Sequence, residues 1–408
     1  MATVGDTSRP GSQAQPGNAP RRLVGIDAAR GIALIGLVAI HLLPSWNEQT
    51  GEASLSWNLF SGHSAALFAL LAGVGLGLGT GGRTVHQGRR LTADRAGLAV
   101  RAGLIGLVGL AVGPVMPAED PPAYGILVYY AVFFGLAIPF LHLGPAALSA
   151  WAAGFAVVAP VLMQQLQGIL PGTVSYDPTF IDLVTEPVGV ASQLLLTGTY
   201  PALPYMAYVL AGLAVGRLPL RAGYIAGGLL SLGVMMAAGA KLVSFVLLYL
   251  AGGYDRLLAS YGMDEHALWA ALEWGPEVLP KDTVWWLVIT TPHTNTPLAI
   301  AFSLGLGLAV LGACLLIARK AQSWLSPLAA MGAMTFTLYT AHLLVLAAGV
   351  HYGEPVLWFT VHLMAAALIA LAWRRFLGQG PLERAVGAST RRTRDLVMRR
   401  SEPARPQS

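Results

Sequence analysis

RGIALIGLVAIH, Arg30 to His41, opens on an arginine, closes on a histidine and holds ten uncharged residues between them. The apolar run around it, about residues 24–44, has the roughly 20 residues that a helix needs to cross a bilayer. Ionisable side chains in such a run are expensive, so they face protein or water rather than lipid. Eleven steps of about 100° return to within roughly 20° of the start, about 16 Å further along a helix. Arg30 and His41 therefore project from one stripe. Asp27, three residues before Arg30, neighbours it on the same surface and can neutralise it. A stripe carrying Asp27, Arg30 and His41 demands other helices against it, which points to a bundle rather than a lone anchor.

The composition agrees. Of 408 residues, 55% are hydrophobic and only 11% charged, whereas a soluble domain carries about 25% charged residues. Too little polar surface remains to cover a water-soluble globule, and the expected fold is an all-α, polytopic membrane bundle. Ten spans are expected, at about 24–44, 58–80, 96–115, 123–142, 145–165, 200–216, 222–250, 297–318, 326–349 and 355–374, with a short amphipathic segment near 180–197 lying at the interface. The charges order these spans. Of the 25 basic residues, Arg30, Arg101 and Lys241 fall inside spans and Arg256 and Lys281 in the long acidic loops 166–199 and 251–296; all the others lie on one side. The positive-inside rule then places both termini in the cytoplasm. Residues 1–21, rich in Pro, Gly, Ser and Ala, read as a disordered tail. Residues 22–384 read as the membrane domain and 385–408 as a basic tail on the anionic inner leaflet.

No signal peptide is expected, because Asp27 and Arg30 interrupt the first apolar run. The single cysteine, Cys314, excludes a disulfide framework and a cysteine metal site, and no metal is expected. The net charge of +5 reflects topology and does not argue for nucleic acid. The glycine run GLGLGTGG, 75–82, lacks a preceding strand and a lysine-serine pair, so it reads as a helix-packing surface and not as a phosphate loop.

Three further histidines fall at a depth similar to His41: His63 at the outer end of the second span, His293 in TTPHTNTP and His342 in TLYTAHLL. Imidazoles at one depth, facing one cavity, would suit proton transfer. The alternative for each is a buried histidine with a local partner. The arginines after the second span carry the same duality, since Arg83, Arg89, Arg90 and Arg95 satisfy the positive-inside rule by position alone. Lys241 has no assigned role.

Arginine, ten residues, histidine in a first span resembles the signature of bacterial membrane acyltransferases that O-acylate surface sugars. RRLVGIDAARGIALIG, SWN at Ser56–Asn58 and FALLAG at Phe68–Gly73 resemble the heparan-alpha-glucosaminide N-acetyltransferase-like proteins. TGTYPALPYMAYVLAGLAVGRL (197–218), TTPHTNTP, SPLAAMGAMTFTLYTAHLL (326–344) and GQGPLER (378–384) resemble the YeiB-like bacterial membrane proteins, also a transmembrane acyltransferase group. GRRLTADRAGLAVR departs from the family pattern by lacking its aromatic residue.

The resemblance implies a plasma-membrane enzyme that takes an acyl group, acetyl above all, from cytoplasmic acyl-CoA and passes it to an extracytoplasmic sugar, lipid or cell-wall acceptor. No permanently bound cofactor is implied; acyl-CoA is the donor substrate. Acyl transfer needs a base for the acceptor proton and a stabiliser for the oxyanion. His41 is the expected base, with Arg30, Asp27, His63, His293 and His342 as further catalytic candidates. Arg89, Arg90 and Arg101 are the candidates for holding CoA phosphates, which guanidinium forks suit. Membrane lipids are the other expected partners, and a homodimer is compatible with the sequence. The competing readings are a carrier of a small metabolite or lipid, which polar residues inside spans would serve equally well, and a membrane protein without chemistry.

Overall fold

The quoted stretch lies inside one unbroken helix, α1, Val24–Leu42, with Asp27 in its first turn and His41 in its last. An acidic group near the N-terminus suits the helix dipole. The computed structural model describes residues 23–399 apart from 118, 120, 261–263, 277 and 350–352. The expected N-terminal tail, 1–21, Glu277 of the outer acidic loop and the last residues of the basic tail, 400–408, lie outside the described residues.

After α1 come α2, Leu55–Phe60, and α3, His63–Gly79, joined through Gly62 at φ 70°. Next are α4, Gly88–Val112, and α5, Leu127–Ala137, which tightens into a 3-10 turn to His142. Then follow α6, Pro145–Gln165, α7, Phe180–Thr185, α8, Pro187–Ser192, and α9, Ala202–Gly216. The chain continues through α10, Gly223–Phe245, α11, Gly253–Leu258, α12, Glu265–Trp274, and α13, Pro297–Lys320. It ends with α14, Ser326–Gly332, α15, Thr335–Ala347, α16, Pro355–Phe376, and α17, Pro381–Arg399.

Among the described residues, seven helical segments are long and apolar enough to cross a membrane, and two bent pairs raise that number to nine. The expected tenth, 123–142, is the shorter apolar helix Leu127–His142. Its second part holds Pro139, which has no N–H for an α-helical bond. The segment near 180–197, expected at the interface, is two short helices and a π turn, and Pro187–Thr197 is bent by 51° from α9. The expected span 326–349 is bent by 77° between α14 and α15. Its sequence is continuously apolar, and the break accompanies an unusually close approach. A Cβ on Gly332 would stand 1.7 Å from the Asp27 carbonyl oxygen, and one on Gly31 would stand 2.3 Å from that of Leu328. The backbones of α1 and α14 touch there.

Backbone contact also joins α3 to α9. A Cβ on Gly73 would meet Val209 O at 2.0 Å, and one on Gly212 would meet Leu70 O at 1.9 Å. Gly77 and Gly216 repeat the pattern one turn on. Small residues at four-residue spacing allow this approach where lipid provides no hydrophobic drive between helices. The packing surface read from the glycine run thus holds for Gly77. Arg217, 3% exposed, seals the end of the pair. Its Nη1 donates to the carbonyls of Gly77 and Thr80 at 3.0 and 2.9 Å, and Nη2 to that of Leu141 at 2.7 Å. Those oxygens terminate helices and have no partner within them.

Two hydrophobic clusters result. The large one gathers α1, α3, α5, α9 and α13. A smaller one, with Leu257, Leu268 and Trp286 fully buried in it, joins Leu248 to described residues of the segment 251–296, which is folded rather than an open loop. The segment from 385 continues α17 as far as Arg399. This helix docks on α4 through an Arg394–Asp94 ion pair and through Arg89, whose Nε donates to Val397 O at 2.8 Å.

Candidate functional site: an arginine-lined cavity and an imidazole chain

A cavity of about 450 Å³ opens among α1, α3, α4, α5, the α14–α15 break and α17. Arg30 and Arg101 line it together with Tyr130, Thr335, Glu383 and Arg391. Leu37, Phe68, Ile105, Ile126 and Phe134 supply apolar wall between them. Guanidinium groups set in a largely apolar lining suit a ligand with an anionic group and an apolar arm.

Arg30 is held from two directions. Nη1 donates to Asp27 Oδ1 at 3.3 Å, and Nη2 to the Leu71 carbonyl at 3.4 Å. A Cβ on Gly75 would lie 2.9 Å from Nη2, so this glycine leaves the guanidinium its room. Arg101 lies over the Phe134 ring, 4.9 Å from its centroid, a cation–π contact that keeps the fork accessible. The hydroxyl of Tyr130 is buried and has no hydrogen bond. Glu383 also lines the cavity. Its carboxylate accepts from the backbone N–H of Phe336 and Thr337 at 2.8 and 3.1 Å, and from the Thr337 hydroxyl at 2.5 Å. An acidic group from α17 thereby caps the first turn of α15.

The cavity reaches Leu37 of α1 and Tyr339 of α15. One helical turn further on each helix stand His41 and His342. Nδ1 of His41 lies 3.1 Å from Nε2 of His342, with the rings nearly parallel at 6°. Nδ1 of His342 lies 2.9 Å from Nδ1 of His362 on α16. Three imidazoles on three helices form one hydrogen-bonded chain, one helical turn past Leu37 and Tyr339 of the cavity wall.

The four expected histidines do not converge. The structure joins His41 to His342 and sends His63 and His293 elsewhere. His63 Nδ1 shares a hydrogen bond with the Ser303 hydroxyl at 2.8 Å, and its ring meets Phe302 edge-on. Lys241 lies over the other contact of that ring, with Nζ 4.6 Å from the Phe302 centroid. His293 Nε2 shares one with Ser61 Oγ at 3.1 Å, beside Trp57 and Tyr200. His293 and Asn295 have φ of 62° and 51°, in a region where residues other than glycine are uncommon. Each of these two histidines has the local partner of the alternative reading.

The phosphate candidates separate likewise. Arg101 lines the cavity. Arg89 is spent on the Val397 carbonyl, and Arg90 is exposed outside the lining. Tyr130, Glu383, Arg391 and His362 were not legible as site residues. His362 sits twenty positions after His342 on another helix, a spacing without a local signature.

The molecule is therefore a polytopic membrane bundle with an arginine-lined cavity at one end and an imidazole chain beyond it. The chain belongs to the heparan-alpha-glucosaminide N-acetyltransferase family: residues 22–249 match that family's catalytic domain. Membership makes it a member of a family of membrane acetyltransferases. No curated protein matches the chain. The matched region carries Arg30, His41, His63 and Arg101; His293, His342, His362 and α17 lie beyond it.

Proposed function

We propose that the protein transfers an acetyl group from acetyl-CoA, bound in the arginine-lined cavity from the cytoplasmic side, to a hydroxyl or amine acceptor presented from the other side of a bacterial plasma membrane. The observation that carries this reading is the polarity of α1. One helix sets Arg30 in the cavity wall and His41, about 16 Å further along, in the imidazole chain one turn past the cavity's Leu37. The likeness of the C-terminal half to YeiB-like proteins supports the same reading.

Arg30, Arg101 and Arg391 are placed to hold the phosphates of the donor. The apolar walls take the arm that leads to the thioester. His41 accepts the acceptor proton as the acceptor oxygen or nitrogen attacks the thioester carbonyl. The C–S bond breaks, a C–O or C–N bond forms, and CoA leaves as a thiolate that takes up the proton. The basic residues gathered at the arginine-rich end support a cytoplasmic face there.

The test uses labelled acetyl-CoA on purified protein. His41→Ala should keep donor binding and lose about 10²- to 10⁴-fold in transfer or thioester hydrolysis, the contribution of a general base. Arg30→Ala with Arg101→Ala should weaken donor binding itself. Full turnover by His41→Ala, or unchanged binding by the double arginine variant, defeats the assignment.

A further inference from the structure

The hydrogen-bonded chain behind His41 has a property that a single base lacks. In its neutral state each ring holds one N–H. His342 is contacted through both nitrogens, so it must donate on one side and accept on the other. For the two hydrogen bonds between these three rings, two fully bonded arrangements exist. In the first, His41 carries its proton on Nδ1 and donates to His342 Nε2, and His342 donates from Nδ1 to His362 Nδ1. His362 then carries its own proton on Nε2. In the second, every proton is reversed. Only the first leaves Nε2 of His41 with a free lone pair, and among the described residues that nitrogen makes no hydrogen bond.

We propose that His342 and His362 extend His41 into a three-imidazole proton relay, in which the proton taken from the acceptor is held on His362 and returned through His342 to the departing thiolate; this rests on the acetyl-transfer reading. The acceptor proton enters at Nε2 of His41. His41 passes its Nδ1 proton to His342, and His342 passes its Nδ1 proton to Nδ1 of His362. His41 and His342 are then neutral, and His362 is an imidazolium with protons on both nitrogens. When the C–S bond breaks, the same three shifts run backward. His41 gives the proton from Nε2 to the thiolate sulfur, and the first arrangement is restored. No proton is gained or lost by the protein over the cycle.

The geometry supports the transfers. Both nitrogen–nitrogen distances, 3.1 and 2.9 Å, are within hydrogen-bond range. Each ring is fixed by a different helix, α1, α15 and α16, so the chain is preorganised by the packing of those helices. Passing the proton two rings on leaves His41 neutral while the acceptor attacks. His342 and His362 are thus positioning residues that act through His41, and neither lines the cavity.

Two measurements test this. Release of free CoA from acetyl-CoA, with water as acceptor, reports turnover. His362→Ala should lower kcat by about ten-fold or more, part of the 10²- to 10⁴-fold attributed to a general base, with KM unchanged. Added imidazole should restore it, and thiazole, similar in size and far less basic, should not. Separately, protein labelled with 15N-histidine should show scalar couplings across two nitrogen–nitrogen hydrogen bonds in the wild type. His342→Gln should abolish both, and His362→Ala only one. Missing couplings, unchanged kcat in His362→Ala, or rescue by thiazole as good as by imidazole would overturn the relay. Absence of wild-type turnover with couplings present would instead remove the acetyl-transfer reading and the task assigned to the relay with it.

Discussion

Replacing Gly212 by alanine adds one methyl group where the structure has no room for it. The new Cβ would stand 1.9 Å from the carbonyl oxygen of Leu70 and 2.8 Å from its carbon, both backbone atoms that cannot rotate away. Real Cβ atoms keep at least 3.0 Å, so α3 and α9 must separate by about 1 Å. Leu70, Val74, Val209 and Leu213 line that seam and are fully buried. A gap of 0.5–1 Å forfeits about a quarter to a half of each dispersion contact, and a buried leucine makes about 40–60 contacts of about 0.1–0.2 kcal/mol. Even with relaxation, a cost at or above the upper end of the about 1–3 kcal/mol typical of overpacking follows. Thermal unfolding of the detergent-solubilised protein, followed by size-exclusion fluorescence, should show Tm lowered by about 5–10 °C, scaling from about 2–4 °C per kcal/mol. The control is Gly228→Ala on α10, where a Cβ meets nothing within 4 Å. There the change should be neutral or should stabilise by about 0.5–1 kcal/mol, because alanine loses less backbone freedom in a helix than glycine does. Equal Tm values for the two variants would refute the backbone-contact account of the α3–α9 seam.

Two further outcomes are expected. Arg217→Met keeps much of the apolar stem and removes the guanidinium donors; the carbonyls of Gly77 and Thr80 keep the N–H groups of Gly82 and His86, whereas the Leu141 carbonyl is orphaned at about 1–3 kcal/mol, so expression as a monodisperse peak should fall, and Arg217→Lys should recover only part of it. Burial pushes the Asp177 carboxyl, in the loop between α6 and α7, up to about 6, against the opposing hydrogen bond donated by Gly125 N–H at 2.5 Å. A folded-state pKa raised above the unfolded 3.8 gives stability that is complete below about pH 4 and lost as pH rises through about 6. Tm should therefore fall between pH 5 and pH 7.5 in the wild type, and Asp177→Asn should flatten that slope; an unchanged slope in the variant would show that other groups set it.

The α1 stripe was legible because helical geometry alone relates residues three and eleven positions apart, and the structure keeps Asp27 against Arg30. The bundle of apolar spans was legible in outline, because span length follows from the bilayer and not from tertiary detail. The break between α14 and α15 was not. SPLAAMGAMTFTLYTAHLL reads as one apolar helix, and its interruption coincides with Gly332 lying against Asp27, a partner about three hundred residues away. The same holds for Arg89. Its charge and position suit phosphate binding, and only the docked α17 shows that a backbone carbonyl has taken it. His362 needed three helices in place before it had any meaning.

The two arginines that line the cavity from α1 and α4 belong to the first quarter of the chain, whereas Glu383, Thr390 and Arg391 of its remaining wall come from α17. At about 5–20 residues per second, a ribosome that has just passed Arg101 needs about 15–60 s to reach Arg391. For that interval Arg30 and Arg101 stand at the membrane while the walls from α5, the α14–α15 break and α17 are added in turn. The nascent protein exposes a cationic hollow that the finished one encloses. A chain arrested or clipped before residue 380 would keep that hollow open, with two guanidinium groups that the completed fold shares with a glutamate.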